Sequence, residues 1–81
     1  MKILILEDNK FDSDLAKRHI LNNIKDCHIE IAVSIAEAKK LINVKYDIAL
    51  LDIKLPDGFG TNFLIELRKI NKKTAIIMLT G

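Results

Sequence analysis

Residues 48–60, with the sequence IALLDIKLPDGFG, decide how this chain folds. Four apolar residues lead to Asp52 and predict a strand buried on both faces, because such strands carry continuous apolar sequence instead of an alternating pattern. Pro56, Gly58 and Gly60 then predict a loop. The carboxylate of Asp52 is therefore expected at the C-terminal end of an interior strand.

A second apolar run, residues 2–6, ends in the same way on Glu7 and Asp8. In open parallel α/β sheets, ligands bind beyond the carboxyl ends of the strands, where the strand order reverses. If the two strands are neighbours, about 4.8 Å apart, then Glu7, Asp8 and Asp52 meet in one pocket. Adjacent carboxylates repel one another unless they share a proton or a cation, and hard oxygen ligands at a wet edge favour Mg²⁺. The sequence therefore predicts a magnesium site.

Three helices are predicted from apolar residues at helical spacing. They cover about residues 11–25, 34–43 and 61–70. Asn9 is the expected N-cap of the first helix, because an Asn side chain can accept a hydrogen bond from an amide of the first turn. Ser34 and Glu37 form a capping box at the start of the second.

Two further strands complete the predicted secondary structure. Residues 28–33 alternate between apolar and polar and predict an edge strand, whereas the apolar run 74–81 predicts a fourth strand. The order βαβαβαβ indicates a parallel sheet covered by helices. Asp47 falls at the N-terminal end of the third strand, opposite the predicted pocket, and we leave it out of the site.

Length and composition indicate one small globular domain. The 81 residues are 49% hydrophobic and 30% charged, with a formal net charge of +2. The positive charge is too weak and too scattered to favour nucleic-acid binding, and the first apolar run is too short to span a membrane. Cys27 is the only cysteine, which excludes an internal disulfide and favours a reducing compartment. We expect a cytoplasmic protein that binds neither nucleic acid nor membrane.

Four separated segments resemble the receiver domain of two-component response regulators. They are residues 6–9 (LEDN), 47–52 (DIALLD), 55–60 (LPDGFG) and 78–81 (MLTG). They occur in the order of the family, and the resemblance covers residues 1–81 as a single, truncated receiver-like domain. It implies a flavodoxin-like α/β fold with a parallel sheet of spatial order 2-1-3-4, lacking the final strand and helices of the family.

The resemblance also implies a role for each candidate residue. Asp52 would be the phosphoacceptor that takes a phosphoryl group from a histidine kinase or a phosphotransfer protein. Glu7 and Asp8 would hold Mg²⁺ beside it, and the backbone carbonyl of Lys54 would complete the metal site. Thr80 would be the switch hydroxyl that bonds to the phosphoryl group. The protein would then be a signalling phosphoacceptor in a phosphorelay, and not an enzyme.

The fourth predicted strand lacks a partner on one side. With right-handed crossovers and the order 2-1-3-4, the first helix covers one face of the sheet and the other two helices cover the opposite face. Part of the first face is then bare over the third and fourth strands. Each large apolar side chain left in water, among residues 76–79, forfeits roughly 1.5 to 3 kcal/mol of burial. We expect that the chain is a piece of a longer protein, or that a second copy covers this edge in a homo-oligomer.

Two other functions stay open at this point. The active-site lysine of the family would lie beyond Gly81, which favours a shortened receiver-like module that is not phosphorylated and acts by dimerisation or partner binding. A metal-dependent phosphohydrolase of similar topology also places an Asp at a strand end. Those enzymes usually carry a second Asp two residues later, where this chain has Lys54. For Thr80, a structural role as a strand-end hydroxyl that is hydrogen-bonded to backbone also stays open.

Overall fold

The apolar runs of the sequence form one parallel sheet in the computed structural model, which describes residues 1–79. In chain order the elements are β1 (Lys2–Leu6), α1 (Lys10–Asn23), β2 (His28–Ala32), α2 (Ile35–Lys40), β3 (Ile48–Asp52), β4 (Lys54–Leu55), β5 (Gly58–Phe59), α3 (Gly60–Ile70) and β6 (Ala75–Leu79). The main sheet has the order β2-β1-β3-β6, with every pair parallel. The predicted fold class and strand order are confirmed.

The helices begin where the capping residues predict. The side chain of Asn9 accepts a hydrogen bond of 3.1 Å from the backbone N–H of Asp12. The hydroxyl of Ser34 accepts one of 3.2 Å from the N–H of Glu37. Each cap satisfies one of the amides that have no partner within the helix.

The predicted ends of α1 and α2 were too far along the chain. The first helix ends at Asn23, and the second ends at Lys40 instead of about residue 43. After Lys40 the chain turns more tightly, because Leu41 N–H donates to the carbonyl of Ala38, three residues back, at 3.0 Å. This pattern is common in the last turn of a helix, where carbonyls lack α-helical partners.

A small hairpin stands where the sequence predicted only a loop. The two-residue strands β4 and β5 are antiparallel, with Leu55 aligned to Gly58, and Pro56 and Asp57 form the turn between them. Both oxygens of the Asp57 carboxylate accept hydrogen bonds from the start of α2, at 2.9 Å from Ile35 N and 3.0 Å from Ala36 N. These bonds hold the pKa of Asp57 below its ordinary value.

The two faces of the sheet are covered unequally, as predicted. The face under α2 and α3 is closed over an apolar core that includes the fully buried Phe63 and Leu67. On the other face, the aligned residues Ile5, Leu50 and Ile77 run from β1 across β3 to β6. Ile5 is 0% exposed, Leu50 is half-buried and Ile77 is 50% exposed. The crossover from β1 to β2 places α1 over the closed end of this row.

Among the candidates for exposure on β6, one apolar side chain is exposed. Of the four apolar residues 76–79, Ile77 is exposed and the other three are half-buried. Thr80 and Gly81, at the end of the predicted fourth strand, lie outside the described residues. Within residues 1–79, no helix has the length and apolar character needed to cross a membrane.

Candidate metal centre

Three acids lie together at the C-terminal edge of the sheet. One carboxylate oxygen from each of Glu7, Asp8 and Asp52 lies within 4.8 Å of the other two. The register explains this position, because β1 and β3 are adjacent and Leu6 is aligned with Leu51. The residues that follow Leu6 and Leu51 must therefore emerge side by side. The structure brings the three acids together as the sequence predicts.

The backbone fixes two of the three carboxylates. Glu7 is only 9% exposed, and its side chain accepts a hydrogen bond of 3.1 Å from Asn9 N. Asp52 accepts a hydrogen bond of 2.9 Å on Oδ1 from the N–H of Ile53. Asp8 is exposed. The site thus has a buried acid at its base and two more accessible acids at its opening.

Burial raises the pKa of Glu7 from 4.5 to about 6. Burial is the largest of several effects contained in this value: the hydrogen bond from Asn9 N lowers the pKa, whereas the charge of Asp52 and side-chain hydrogen bonds with Asp52 and Asp8 raise it. Three acids this close disfavour full ionisation unless positive charge enters the site. A proton on Glu7 or a bound cation would supply that charge.

The raised pKa of Glu7 predicts how stability depends on pH. The folded protein holds the Glu7 proton more tightly than the unfolded chain, so the contribution of Glu7 to the free energy of unfolding of the metal-free protein should be lost as pH rises from 4.5 through about 6. A difference from 4.5 to about 6 corresponds to about 2 kcal/mol. Urea unfolding at several pH values checks this, with Glu7→Gln as the reference that lacks the titration. Equal pH dependence in the two proteins would contradict it.

The acids fit a hard divalent cation. All three offer oxygen, and Asp8 is exposed while Asp52 is half-buried. This arrangement suits an ion that binds oxygens at about 2.0–2.1 Å and keeps several waters, as Mg²⁺ does. Lys54, whose backbone carbonyl is a further predicted ligand, opens β4 two residues after Asp52, and its side chain is exposed. Thr80, the predicted switch hydroxyl, falls outside the described residues.

Asp47 lies away from the three acids, immediately before the start of β3. Its carboxylate accepts a hydrogen bond of 2.8 Å from Lys2 N, at the start of β1. Its backbone carbonyl accepts a bond of 2.9 Å from Ala75 N, at the start of β6. Asp47 therefore ties the N-terminal ends of three strands together, at the edge of the sheet opposite the acids.

Gly60 has a structural role that its sequence context does not predict. Its N–H donates to the carbonyl of Ile53 at 2.8 Å, where α3 begins against the end of β3. A Cβ atom at this position would lie 1.9 Å from the carbonyl oxygen of Asp52. Only glycine lets the two backbones approach this closely. The Gly-rich segment signals a turn, but the close contact depends on the tertiary fold.

Comparison with known proteins agrees with this fold. Residues 3–81 match the family described as the response regulator receiver domain. The MaeR response regulator bound to beryllium trifluoride is 32% identical with a TM-score of 0.87, and the match covers 100% of this chain and 67% of that one. Response regulator protein TrrA from Thermotoga maritima, in complex with Mg²⁺-BeF, is 31% identical with a TM-score of 0.86, covering 98% of this chain and 68% of that one.

A curated relative is the hybrid signal transduction histidine kinase G of Dictyostelium discoideum. It is 30% identical over 85 residues, a match that covers all of this chain and 2% of that protein. The chain thus spans a small part of the kinase and about two thirds of the solved structures.

The fold and its acidic edge define a phosphoacceptor module of two-component signal transduction. The chain belongs to the response regulator receiver domain family. Domains of this family are signalling modules and not classical enzymes, they bind Mg²⁺ at the acidic pocket, and they interact with histidine kinases or phosphotransfer proteins.

Proposed function

We propose that this chain, acting as one receiver domain over residues 1–81, accepts a phosphoryl group on Asp52. The donor would be a phosphohistidine of a histidine kinase or phosphotransfer protein, and Mg²⁺ would be the cofactor. The observation that carries the proposal is the meeting of the Glu7, Asp8 and Asp52 carboxylates within 4.8 Å. Single loop acids have many ordinary roles, but three that emerge from two interior strands at one edge point to a shared ligand.

The proposed reaction is a direct transfer between two side chains. One carboxylate oxygen of Asp52 forms a bond to phosphorus as the bond from phosphorus to the donor imidazole nitrogen breaks, and the electron pair stays on that nitrogen. The N–H of Ile53, bonded to Oδ1 at 2.9 Å, orients the Asp52 carboxylate for this attack. The bound cation would offset the repulsion between the carboxylate and the phosphoryl oxygens.

The other two acids are proposed to contact the cation in different ways. We assign Asp8, which is exposed, as a direct ligand, and Glu7, which is buried with a raised pKa, as a ligand through water. The backbone carbonyl of Lys54 would be a further direct ligand. Thr80 follows Leu79, which is aligned with Asp52, and we assign its hydroxyl to a hydrogen bond with the new phosphoryl group.

Acetyl phosphate provides a test that needs no partner protein. With Mg²⁺ present, intact-mass spectrometry should show one added phosphoryl group on the wild type and none on Asp52→Asn. Asp14→Asn is the matched control, because Asp14 is an exposed acid on α1 outside the site, and it should accept the group as the wild type does. No adduct on the wild type, or an adduct that persists in Asp52→Asn, would overturn the proposal.

A second function is favoured by the exposed side of β6. Ile77 is 50% exposed on the open face, and within residues 1–79 β6 pairs only with β3. A copy of the chain could cover this edge, in which case the protein would act as a homo-oligomer or a partner-binding module without phosphorylation. Sedimentation velocity over a range of concentrations tests this, and a monomer at all of them would exclude the homo-oligomer.

The proposed setting for either function is the cytoplasm. Cys27 is a free, half-buried thiol, which suits a reducing compartment.

A further inference from the structure

The segment that follows Asp52 is anchored at its turn by Asp57. Asp57 lies 22 residues from Ile35 in sequence. Its two carboxylate oxygens nevertheless accept hydrogen bonds from the first two backbone N–H groups of α2, at 2.9 Å from Ile35 N and 3.0 Å from Ala36 N. Those amides have no acceptor within their own helix. Asp57 therefore joins the β4–β5 hairpin to α2 through a charged acceptor and two aligned donors, a stronger arrangement than a neutral pair.

Apolar contacts also hold the β4–β5 hairpin against the start of α2. Leu55 and Ile35, which are 6% and 7% exposed, belong to one core cluster. Gly58 has φ of +145°, and a Cβ there would lie 3.0 Å from Cδ1 of Ile35. The turn of the hairpin thus rests against the side chain of Ile35 while Asp57 binds the backbone of the same residue.

The other end of the segment is anchored against the end of β3. Gly60 N donates to the carbonyl of Ile53 at 2.8 Å, and Lys54 is aligned with Phe59 within the hairpin. Lys54 therefore stands between two fixed points, the turn held by Asp57 and the base closed by Gly60. Two-residue strands have little stability of their own, so the position of Lys54 depends on both anchors.

We propose that Asp57 is a positioning residue for the metal centre: its hydrogen bonds hold the hairpin against α2, and with the hairpin the Lys54 backbone carbonyl that is proposed as a ligand. This inference rests on the proposed function, because it takes that carbonyl as a ligand. Mg²⁺ requires near-ideal octahedral geometry and tolerates misplaced ligands poorly. Without the hydrogen bonds of Asp57, the hairpin would have to become ordered when Mg²⁺ binds. The free-energy cost of that ordering would lower the Mg²⁺ affinity.

Calorimetric titration with Mg²⁺ alone tests the inference in three variants. Asp57→Ala removes both hydrogen bonds and should weaken Mg²⁺ binding by about tenfold, the lower end of the effect of outer-shell partners of metals. Asp57→Asn keeps one oxygen acceptor and should fall between Asp57→Ala and the wild type. Ser34→Ala is the matched control, because it removes a different cap from the same helix end, the bond to Glu37 N, and has no hydrogen bond to the hairpin. It should stay within about twofold of the wild type.

Hydrogen exchange gives a second readout that does not depend on metal. In the metal-free protein, the amides of β4 and β5 should exchange faster in Asp57→Ala than in the wild type, and Ser34→Ala should leave them unchanged. If circular dichroism shows that Asp57→Ala is unfolded, Asp57→Asn takes its place. Its Mg²⁺ affinity and its hydrogen exchange are then compared with those of Ser34→Ala.

The outcomes separate this inference from the proposed function. A wild type that binds no Mg²⁺ would overturn both. A wild type that binds Mg²⁺, with affinity unchanged in the Asp57 variants or lowered equally in Ser34→Ala, would overturn the positioning role alone. A graded loss from the wild type to Asp57→Asn to Asp57→Ala, absent in Ser34→Ala, supports it.

Discussion

Gly60→Ala is expected to destabilise the protein by about 3 kcal/mol or more, at or above the upper end of typical overpacking costs. The added Cβ would lie 1.9 Å from the carbonyl oxygen of Asp52 and 3.1 Å from its carbonyl carbon. Both atoms are backbone, so no side-chain rotation can relieve the overlap. Either the start of α3 or the end of β3 must move, and that movement also displaces the proposed phosphoacceptor.

Urea unfolding followed by circular dichroism measures this effect. Thr61→Ala is the control, since Thr61 is the next residue of α3 and is exposed, and its replacement should change stability by no more than about 0.5 kcal/mol. A Gly60→Ala variant as stable as Thr61→Ala would show that the two backbones do not approach as closely as the structure indicates.

Asp8→Asn is expected to weaken Mg²⁺ binding by about 100-fold or more. Loss of an outer-shell partner of a metal costs about 10- to 100-fold, and Asp8 is proposed as a direct, charged ligand. The same change should stabilise the metal-free protein, because it removes one of the three carboxylates that lie within 4.8 Å of one another. Opposite effects on metal binding and on metal-free stability distinguish a ligand from a residue that merely supports the fold.

Calorimetry with Mg²⁺ and thermal unfolding in a chelator measure the two quantities. Asp14→Asn makes the same chemical change on an exposed part of α1 and should leave metal affinity unaltered. If Asp8→Asn and Asp14→Asn bind Mg²⁺ equally well, Asp8 is not a ligand. Glu7→Gln should have a smaller effect than Asp8→Asn, because Glu7 is assigned a contact through water.

The central sheet and the acidic edge could be predicted from sequence because each depends on local pattern. The runs before Glu7 and Asp52 are short, apolar and followed by acids, and parallel pairing brings such strand ends together. The unequal covering of the sheet followed from the handedness of the crossovers. The unequal covering is seen across the sheet from Ile5 on β1 to Ile77 on β6, where the exposed fraction of the residue rises from 0% to 50%.

The hairpin and its contacts could not be predicted in the same way. Asp57 and Gly60 both lie in a segment whose Pro and Gly residues predict a turn, but a turn signal does not say what the turn contacts. The partners of Asp57 are amides 21 and 22 residues away, and the contact at Gly60 exists only once α3 packs against β3. The early end of α2 has a different, local cause: Leu41 N–H donates to the carbonyl of Ala38, only three residues back.

The central claim is that three acids on two adjacent strands hold one divalent cation. A titration with Mn²⁺, a paramagnetic substitute for Mg²⁺, monitored in the ¹H–¹⁵N NMR spectrum tests it most directly. We expect the amide signals of Glu7, Asp8, Asp52 and Ile53 to broaden first, at low metal-to-protein ratios, and to recover when Mg²⁺ is added in excess. Broadening that begins instead near Asp47, at the opposite edge of the sheet, or that Mg²⁺ does not reverse, would contradict the claim.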